Sequence, residues 1–338
     1  MVNSRMTVVA VALALAGGVG AAIGQSSAPA RSAGTHPLVT QTEYEKWQTE
    51  LSNWGRWGKD DELGALNLIT PAKRKQAANL VKDGGTVSLA REIMTEKDVD
   101  VPCPVEWAMT RATETLAMDR LNYACIHGAN ITHLDSFAHV FFGGKMWNGY
   151  PVKELVTQEK GALRNSVFTM KDGIVTRGVL YDMARLKGVD YLEPGTRIYA
   201  EDLEAWEKKT GVKAGPGDAL IMRWGRWTRR TKLGAFDISR NAVGFDLSVI
   251  PWMKKRDIAI LGWETPNYAP KPEGDTISGD PFHNFVLTML GVHLLDRCDL
   301  DAVAEAAAAR NRWEFMLTVA PAPIRNGTGS PINPIAIF

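Results

Sequence analysis

The sequence predicts a mixed-sheet α/β or α+β domain, and three observations lead there. Runs that read as strands are interleaved with glycine-terminated runs that read as helices, without strict βαβ alternation. One strand-like run, "IAILGWE", is almost continuously apolar, the pattern of a strand covered on both faces. No stretch within residues 40–338 has the composition of an interdomain linker, so a single domain over residues 41–338 is expected.

The elements follow in chain order. Arg5 precedes "MTVVAVALALAGGVGAAIG", and residues 1–24 read as a cleavable secretory signal. The stretch is long enough for an uncleaved anchor, but its glycine- and alanine-rich second half favours cleavage near Gly24. Residues 25–40, "QSSAPARSAGTHP" and its flanks, read as a disordered linker. The expected location is therefore periplasmic or secreted, with no stable membrane association after cleavage. "ITPAKRKQAANLVKDGG" reads as a helix capped by Thr70 with Pro71 in its first turn. "TVSLARE" alternates as a strand. "EDLEAWEKKTG" is a helix stopped by glycine, "GDALIMRWG" a strand, and "FDLSVIPWMKKRD" a short helix interrupted near Pro251. "DPFHNFVLTMLG" is a helix with Asp280 as N-cap, "LDAVAEAAAARN" an alanine-rich helix, and "WEFMLTVAPAPI" a strand ended by its prolines.

Composition narrows the functions. The 338 residues are 45% hydrophobic and 23% charged, with a net charge of +1. There is no basic block to follow a phosphate backbone, so nucleic acid is not an expected partner. The three cysteines, Cys103, Cys125 and Cys298, form no C-x-x-C pair and suggest no cysteine zinc site. In an exported chain one pair could form a disulfide; buried free thiols are the alternative.

Histidine marks the candidate site. Of six in the chain, three lie in "HGANITHLDSFAH", with an aspartate between them. Read as a strand up to Asp135, the segment puts His127, His133 and Asp135 on one face. His139 follows four residues later. An imidazole and a carboxylate side by side at a strand end can hold a divalent metal, and two ligands are too few without others from elsewhere. Trp54, Trp57, Phe137, Phe141, Trp147 and Tyr150 flank the motif, as walls of a pocket for a planar, cyclic or aromatic substrate or as ordinary core.

"THLDSFAH" resembles the second half of the H-x-G-T-H-x-D-x-P-x-H motif of the cyclase family, which includes bacterial kynurenine formamidases and isatin hydrolase. "NWGRWGKDDELGALNLITPAKRKQAANLVKDGGTVSLARE", "GGKMWNGYPV", "ILGWETPNY", "PFHNFVLTMLGVHLLD" and "GTGSPINPIAI" extend the likeness over nearly all of 45–338. The resemblance implies an α/β domain of the swivelling β/β/α type, usually a homo-oligomer, with one or two divalent ions, zinc or manganese. It implies hydrolysis of an amide, formamide or cyclic acyl bond. It matches His133, Asp135 and His283 to metal ligands, Asp296 to a position where the family has a glutamate ligand, and His139 to a general acid/base.

The sequence also departs from the motif. Its first histidine is Ala129 here, its glycine Ile131 and its proline Phe137. His127 would lie about 6–7 Å further along an extended strand than position 129, and could substitute only through a bulge or a displaced metal. One ion per chain, held by a subset of His133, Asp135, His283 and Asp296, suits these residues better than two. Glu264, ending a buried strand, is a spare ligand or acid–base candidate. His293 alternates away from Asp296 and suggests packing. "GTGSP" reads as a turn before Pro331, not a nucleophile elbow. The expected activity is metal-dependent hydrolysis by activated water with a histidine acid/base. The alternatives are a metal-dependent lyase or true cyclase, and a non-catalytic ligand-binding member.

The signal reading is tested by N-terminal sequencing of the native protein. A mature start near Gln25 in the periplasm or medium is expected; an intact Met1 on a cytosolic protein would defeat it.

Overall fold

Nine strands form one sheet because four of them are apolar enough to be covered on both faces. In chain order they are β1 (Thr86–Ser88), β2 (His133–Asp135), β3 (Ile174–Asp182), β4 (Ala219–Arg223), β5 (Ile260–Trp263), β6 (His293–Asp296), β7 (Glu314–Val319), β8 (Gly329–Pro331) and β9 (Ile335–Ile337). Their spatial order is β1-β9-β7-β3-β4-β5-β6-β2-β8. The central β3, β4, β5 and β6 run parallel. Antiparallel strands continue the sheet on both sides. Every residue of β4, β5 and β6 is buried, whereas β7 alternates buried and half-buried towards the edge. That is the burial expected of a parallel centre with helices on both faces.

This computed structural model describes residues 36–128, 130–239, 241–265, 269–271 and 273–338. The expected signal, the linker up to residue 35 and Ala129 lie outside the described residues. Leu38–Phe338 is one compact unit, and among the described residues no helix is long and apolar enough to cross a membrane.

The local signals act as anticipated at most helix ends. Thr70 caps Pro71–Ala78 by accepting from the Lys73 N–H, and Asp280 caps Pro281–Phe285 by accepting from the His283 N–H. Gly211, at φ 74°, ends Ala200–Thr210 in the left-handed region that glycine tolerates. Pro251 does not interrupt its helix. Val249–Arg256 runs through it, because the proline is third in the helix, where a backbone N–H would have no intrahelical partner. "GTGSP" is corrected as well: Gly329–Pro331 is strand β8, paired with β2. Elements with no reading from sequence include the long strand β3, the helices Gln41–Glu50 and Arg226–Leu233, and an exposed hairpin of Glu106–Ala112 and Ala117–Asn122.

Glu264, the spare ligand or acid–base candidate, is held by backbone amides just after β5. Its Oε2 accepts from the backbone N–H groups of Trp224, Gly225 and Arg226 at 2.7, 2.8 and 3.2 Å. These donors open the helix Arg226–Leu233, whose positive end favours an anion. Buried Arg226 bonds the Glu264 carbonyl at 3.0 Å and Asp100 at 3.2 Å. The end of β5, the start of that helix and the loop at Asp100 are thus tied at one point.

Burial, with Asp301 adding to it, pushes the Glu264 carboxyl up to about 8, against Arg223 and the amides, which favour the anion. A carboxyl raised above its ordinary 4.5 holds its proton more tightly when folded. Its stabilising contribution is full below that ordinary value and is lost as pH rises towards about 8. Glu264→Gln should therefore flatten the decline of Tm across that window in calorimetry. An unchanged slope would mean that the carboxylate stays ionised on its three amides.

Candidate metal centre

Strand pairing assembles the first half of the site. β2 lies between β6 and β8, antiparallel to both, and its three residues are buried. Side chains alternate, so His133 and Asp135 project to the same face. Asp296 stands directly opposite His133 across the β2–β6 ladder. His133 Nδ1 is 3.1 Å from the Ile131 carbonyl, a contact that points Nε2 into the site. Nε2 then lies 3.5 Å from Asp135 Oδ1 and 3.9 Å from Asp296 Oδ2. Those gaps are long for hydrogen bonds. They are near the separation of about 3.4 Å between two ligands bound at roughly 2.1 Å to a tetrahedral ion.

Helix and turn bring the remaining imidazoles. His283, in the first turn of its capped helix, has Nε2 3.4 Å from Asp135 Oδ2. His127 Nδ1 is 2.7 Å from Asp135 Oδ1, and its Nε2 is 2.9 Å from Thr328 Oγ1. His139 stacks on His127, ring centroids 3.5 Å apart and planes 7° apart. Two donor groups result: His127, Asp135 and His139, partly exposed, and His133, Asp135 and Asp296, buried. Each has its ligand atoms within 4.8 Å of one another, and Asp135 belongs to both.

His127 arrives by a route the sequence reading did not foresee. The expected strand from 127 to 135 is only three residues long, and Ile126 and His127 lie in a turn. The Cys103–Cys125 disulfide fixes the chain two residues before His127, and the turn removes the displacement that an extended strand would have imposed. Gly329 makes the room: a Cβ there would lie 2.6 Å from His127 Cε1 and 2.8 Å from the Leu134 carbonyl. Thr328 and Gly329 are the residues that sequence reasoning missed. Their only signal was the phrase "GTGSP", which looks like any glycine turn.

Other candidates separate from the site. His293 points to the opposite face of β6, stacks on Phe137 at 3.8 Å and approaches the Asp135 backbone carbonyl at 3.1 Å through Nδ1. Phe137 and Trp147 are fully buried core, not pocket wall, while Trp54, Trp57, Phe141 and Tyr150 are partly buried. Cys298 is a buried free thiol.

The electrostatics favour a cation. Burial alone would raise Asp135, but His139, His127, His133 and His283 hold it well below the usual carboxylate range. Burial lowers His283, yet Asp135, Asp280 and Asp296 raise it to about 9. Burial lowers His139 to about 4 in spite of Asp135. Asp135 and Asp296 thus face a proton held on His283. Two carboxylates and several imidazoles converging without a lysine or arginine hydrogen-bonded to Asp135, among the described residues, suit a divalent ion.

The family model "Putative cyclase" matches residues 35–270. The chain belongs to the cyclase family. That match includes His127, His133, Asp135 and His139 and ends before His283 and Asp296. Solved structures extend the likeness. The crystal structure of a novel cyclase is 29% identical at a TM-score of 0.75, covering 86% of this chain and 99% of its own. Isatin hydrolase A from Labrenzia aggregata, bound to benzyl benzoate, is 18% identical at 0.53, covering 77% and 94%. An isatin hydrolase bound to the product analogue thioisatinate is 16% identical at 0.51, covering 80% and 98%. The last two establish a shared fold. No curated protein matches the sequence.

The room at Gly329 gives the site a specific test. Gly329→Ala should push His127 off Asp135 and cost about 1–3 kcal/mol by overpacking. It should also weaken zinc or manganese binding in calorimetric titration. Unchanged affinity in a folded variant would remove His127 from the metal centre.

Proposed function

We propose that this cyclase-family chain is a divalent-metal-dependent hydrolase of an amide, formamide or cyclic amide or ester bond in a small aromatic or cyclic substrate. The observation that carries the reading is the pair of donor groups joined at Asp135, one buried and one partly exposed. His133, Asp135, Asp296 and His283 would hold zinc or manganese from the sheet side. When bound, such an ion polarises an acyl oxygen and lowers the pKa of water towards neutrality.

The chain's own residues supply the rest. His133 and Asp135 are oriented by strand geometry, and the Ile131 carbonyl beside His133 Nδ1 fixes the ring, as partners of metal-binding imidazoles do. His127 restores an imidazole to the side of Asp135 where the motif histidine is missing, and Thr328 holds its far nitrogen. His139 is neutral near pH 7, so its ring can accept a proton from water and return it to the leaving nitrogen or oxygen. The stacked His127 and His139 are the more exposed members of the cluster and lie on the side from which substrate would come. Partly buried Trp54, Trp57, Phe141 and Tyr150 are the aromatic surfaces for a flat substrate. The isatin hydrolases among the structural relatives favour hydrolysis over elimination. The Cys103–Cys125 disulfide supports a periplasmic or secreted location.

The test separates ligation from proton transfer. His139→Ala should keep most of the metal and lose about 10²–10⁴-fold in turnover on an amide and lactone panel. His133→Ala should lose metal and turnover together. With oxygen-18 water the product acid should carry label. Equal metal loss in both variants would make His139 a ligand, and unlabelled product would point to a lyase or cyclase.

A further inference from the structure

Residues 123–128 carry His127 to the metal centre, yet little of the fold holds them. Among the described residues, no hydrogen bond joins the backbone of 123–128 to another segment, and the polar contacts are those of the His127 ring with Asp135 and Thr328. After the turn the chain is fixed at Asn130, whose carbonyl accepts from the Met94 N–H at 3.1 Å. Before it stands the hairpin of Glu106–Ala112 and Ala117–Asn122. From Glu106 to Asn122 all residues are exposed except half-buried Ala108. A two-stranded hairpin without packing is marginal in water, so its ladder is a weak anchor for the residues that follow it.

The Cys103–Cys125 disulfide supplies the missing hold, and its two ends are unequal. Cys103 lies on a fixed stretch. Asp98 and Val101 exchange backbone hydrogen bonds at 3.2 and 3.0 Å, and the Val105 N–H bonds the Met94 carbonyl at 2.9 Å. Asp100 is 1% exposed and accepts from Arg226 at 3.2 Å and from Arg230 at 2.9 Å. Both arginines belong to the helix Arg226–Leu233. The anchorage of that helix thus runs through Asp100 and the disulfide to Cys125. From there the turn is too tight to absorb a displacement. Only Ile126 separates Cys125 from His127. A Cβ on Gly128 would lie 3.2 Å from the Cys125 Cβ and 2.5 Å from Asn130 Oδ1. A shift at Cys125 is therefore passed to the His127 ring, whose contacts of 2.7 Å with Asp135 and 2.9 Å with Thr328 depend on its place.

We propose that the Cys103–Cys125 disulfide is a redox switch on the metal centre: oxidised, it holds His127 against Asp135, and reduced, it lets His127 swing away and weakens the grip on a divalent ion. The effect on an ion rests on the proposed metal-dependent function; the tether to His127 does not. Cys103 and Cys125 are positioning residues that act through His127. Both are half-buried, so a small dithiol reaches them, whereas Cys298 is a fully buried free thiol and takes no part. The exchange balances with the dithiol as the only co-reactant. One of its thiolates attacks a cystine sulfur and the protein S–S bond breaks. Its second thiol then closes the reagent's own disulfide and releases the other cysteine, so that two electrons and two protons pass to the protein. An oxidising compartment keeps the site tight, and a reducing one loosens it.

The experiment compares the full chain oxidised, reduced with dithiothreitol and desalted without air, and as Cys103→Ser/Cys125→Ser. Zinc and manganese affinities are read by competition with a chromogenic chelator, and imidazole proton NMR follows the metal-free chain. Reduction and the double variant should each weaken metal binding about 10–100-fold, the range for groups that orient metal ligands, with unchanged circular dichroism. Reoxidation should restore the wild type. In the metal-free chain the His127 Nδ1 proton, assigned by its absence in His127→Ala, should disappear on reduction. His127→Ala should bind metal equally in both redox states. A measurable affinity that is the same in oxidised and reduced wild type, a His127 resonance that survives reduction, or the full redox effect in His127→Ala would overturn the proposal. So would unfolding on reduction, because a tether local to His127 leaves the core intact. An oxidised chain that binds neither ion fails the proposed function; loss of the His127 resonance on reduction would then still uphold the tether, and its persistence would overturn it.

Discussion

Asp135 has no exposure to solvent, and the hydrogen bonds that its carboxylate accepts come from imidazoles. That is the constraint on which the rest of the molecule turns. A buried carboxylate without a counter-charge would be too costly to keep. Here the balancing groups are histidines, which can give way to a metal in a manner that lysine and arginine cannot. Strand β6 through Asp296, the capped helix at His283 and the turn at His127 each deliver one imidazole or carboxylate to this point. The rigid part of the sheet therefore carries the chemistry, and the partly exposed imidazoles are the part that meets solvent.

A second buried charge cluster does a different task. Arg226 pairs with Asp100 near the end of β5 and donates to the Glu264 carbonyl, while the Glu264 carboxyl accepts from backbone amides. Arg223 pairs likewise with Asp182 and Asp301. Neither cluster includes a histidine. The chain thus separates ionic groups that fix its strand ends from those that can exchange a proton for a metal.

Much of this was legible in the sequence, for local reasons. Thr70, Asp280 and Gly211 announce helix ends because capping depends on adjacent residues. The apolar run at β5 announces a buried strand because burial on both faces leaves no alternation. His133 and Asp135 could be paired because alternate strand residues share a face. What failed depends on distant partners. β2 is short because its neighbours are short, and neither β6 nor β8 is readable from residues 127–135. Glu264 reads from sequence as a spare ligand or acid–base candidate because the amides that hold it belong to a segment some 40 residues earlier. Pro251 was over-read, since a proline in the first turn and one in the middle of a helix look alike until the helix start is known.

The separations in the chain have a kinetic consequence. The residues around Asp135 meet it across 148 positions at His283, and His127 meets Thr328 across 201. β8 is nearly the last strand in the sequence, and β2 has only one neighbour until β8 docks. Contacts of such span form slowly, because loop closure comes before any reward from pairing. A chain folding from its N-terminus would hold the motif residues long before it held their environment. Metal affinity should therefore arise late and abruptly, at the step that docks the C-terminal strands. The centre thus reports on completion of the fold and cannot serve as its nucleus.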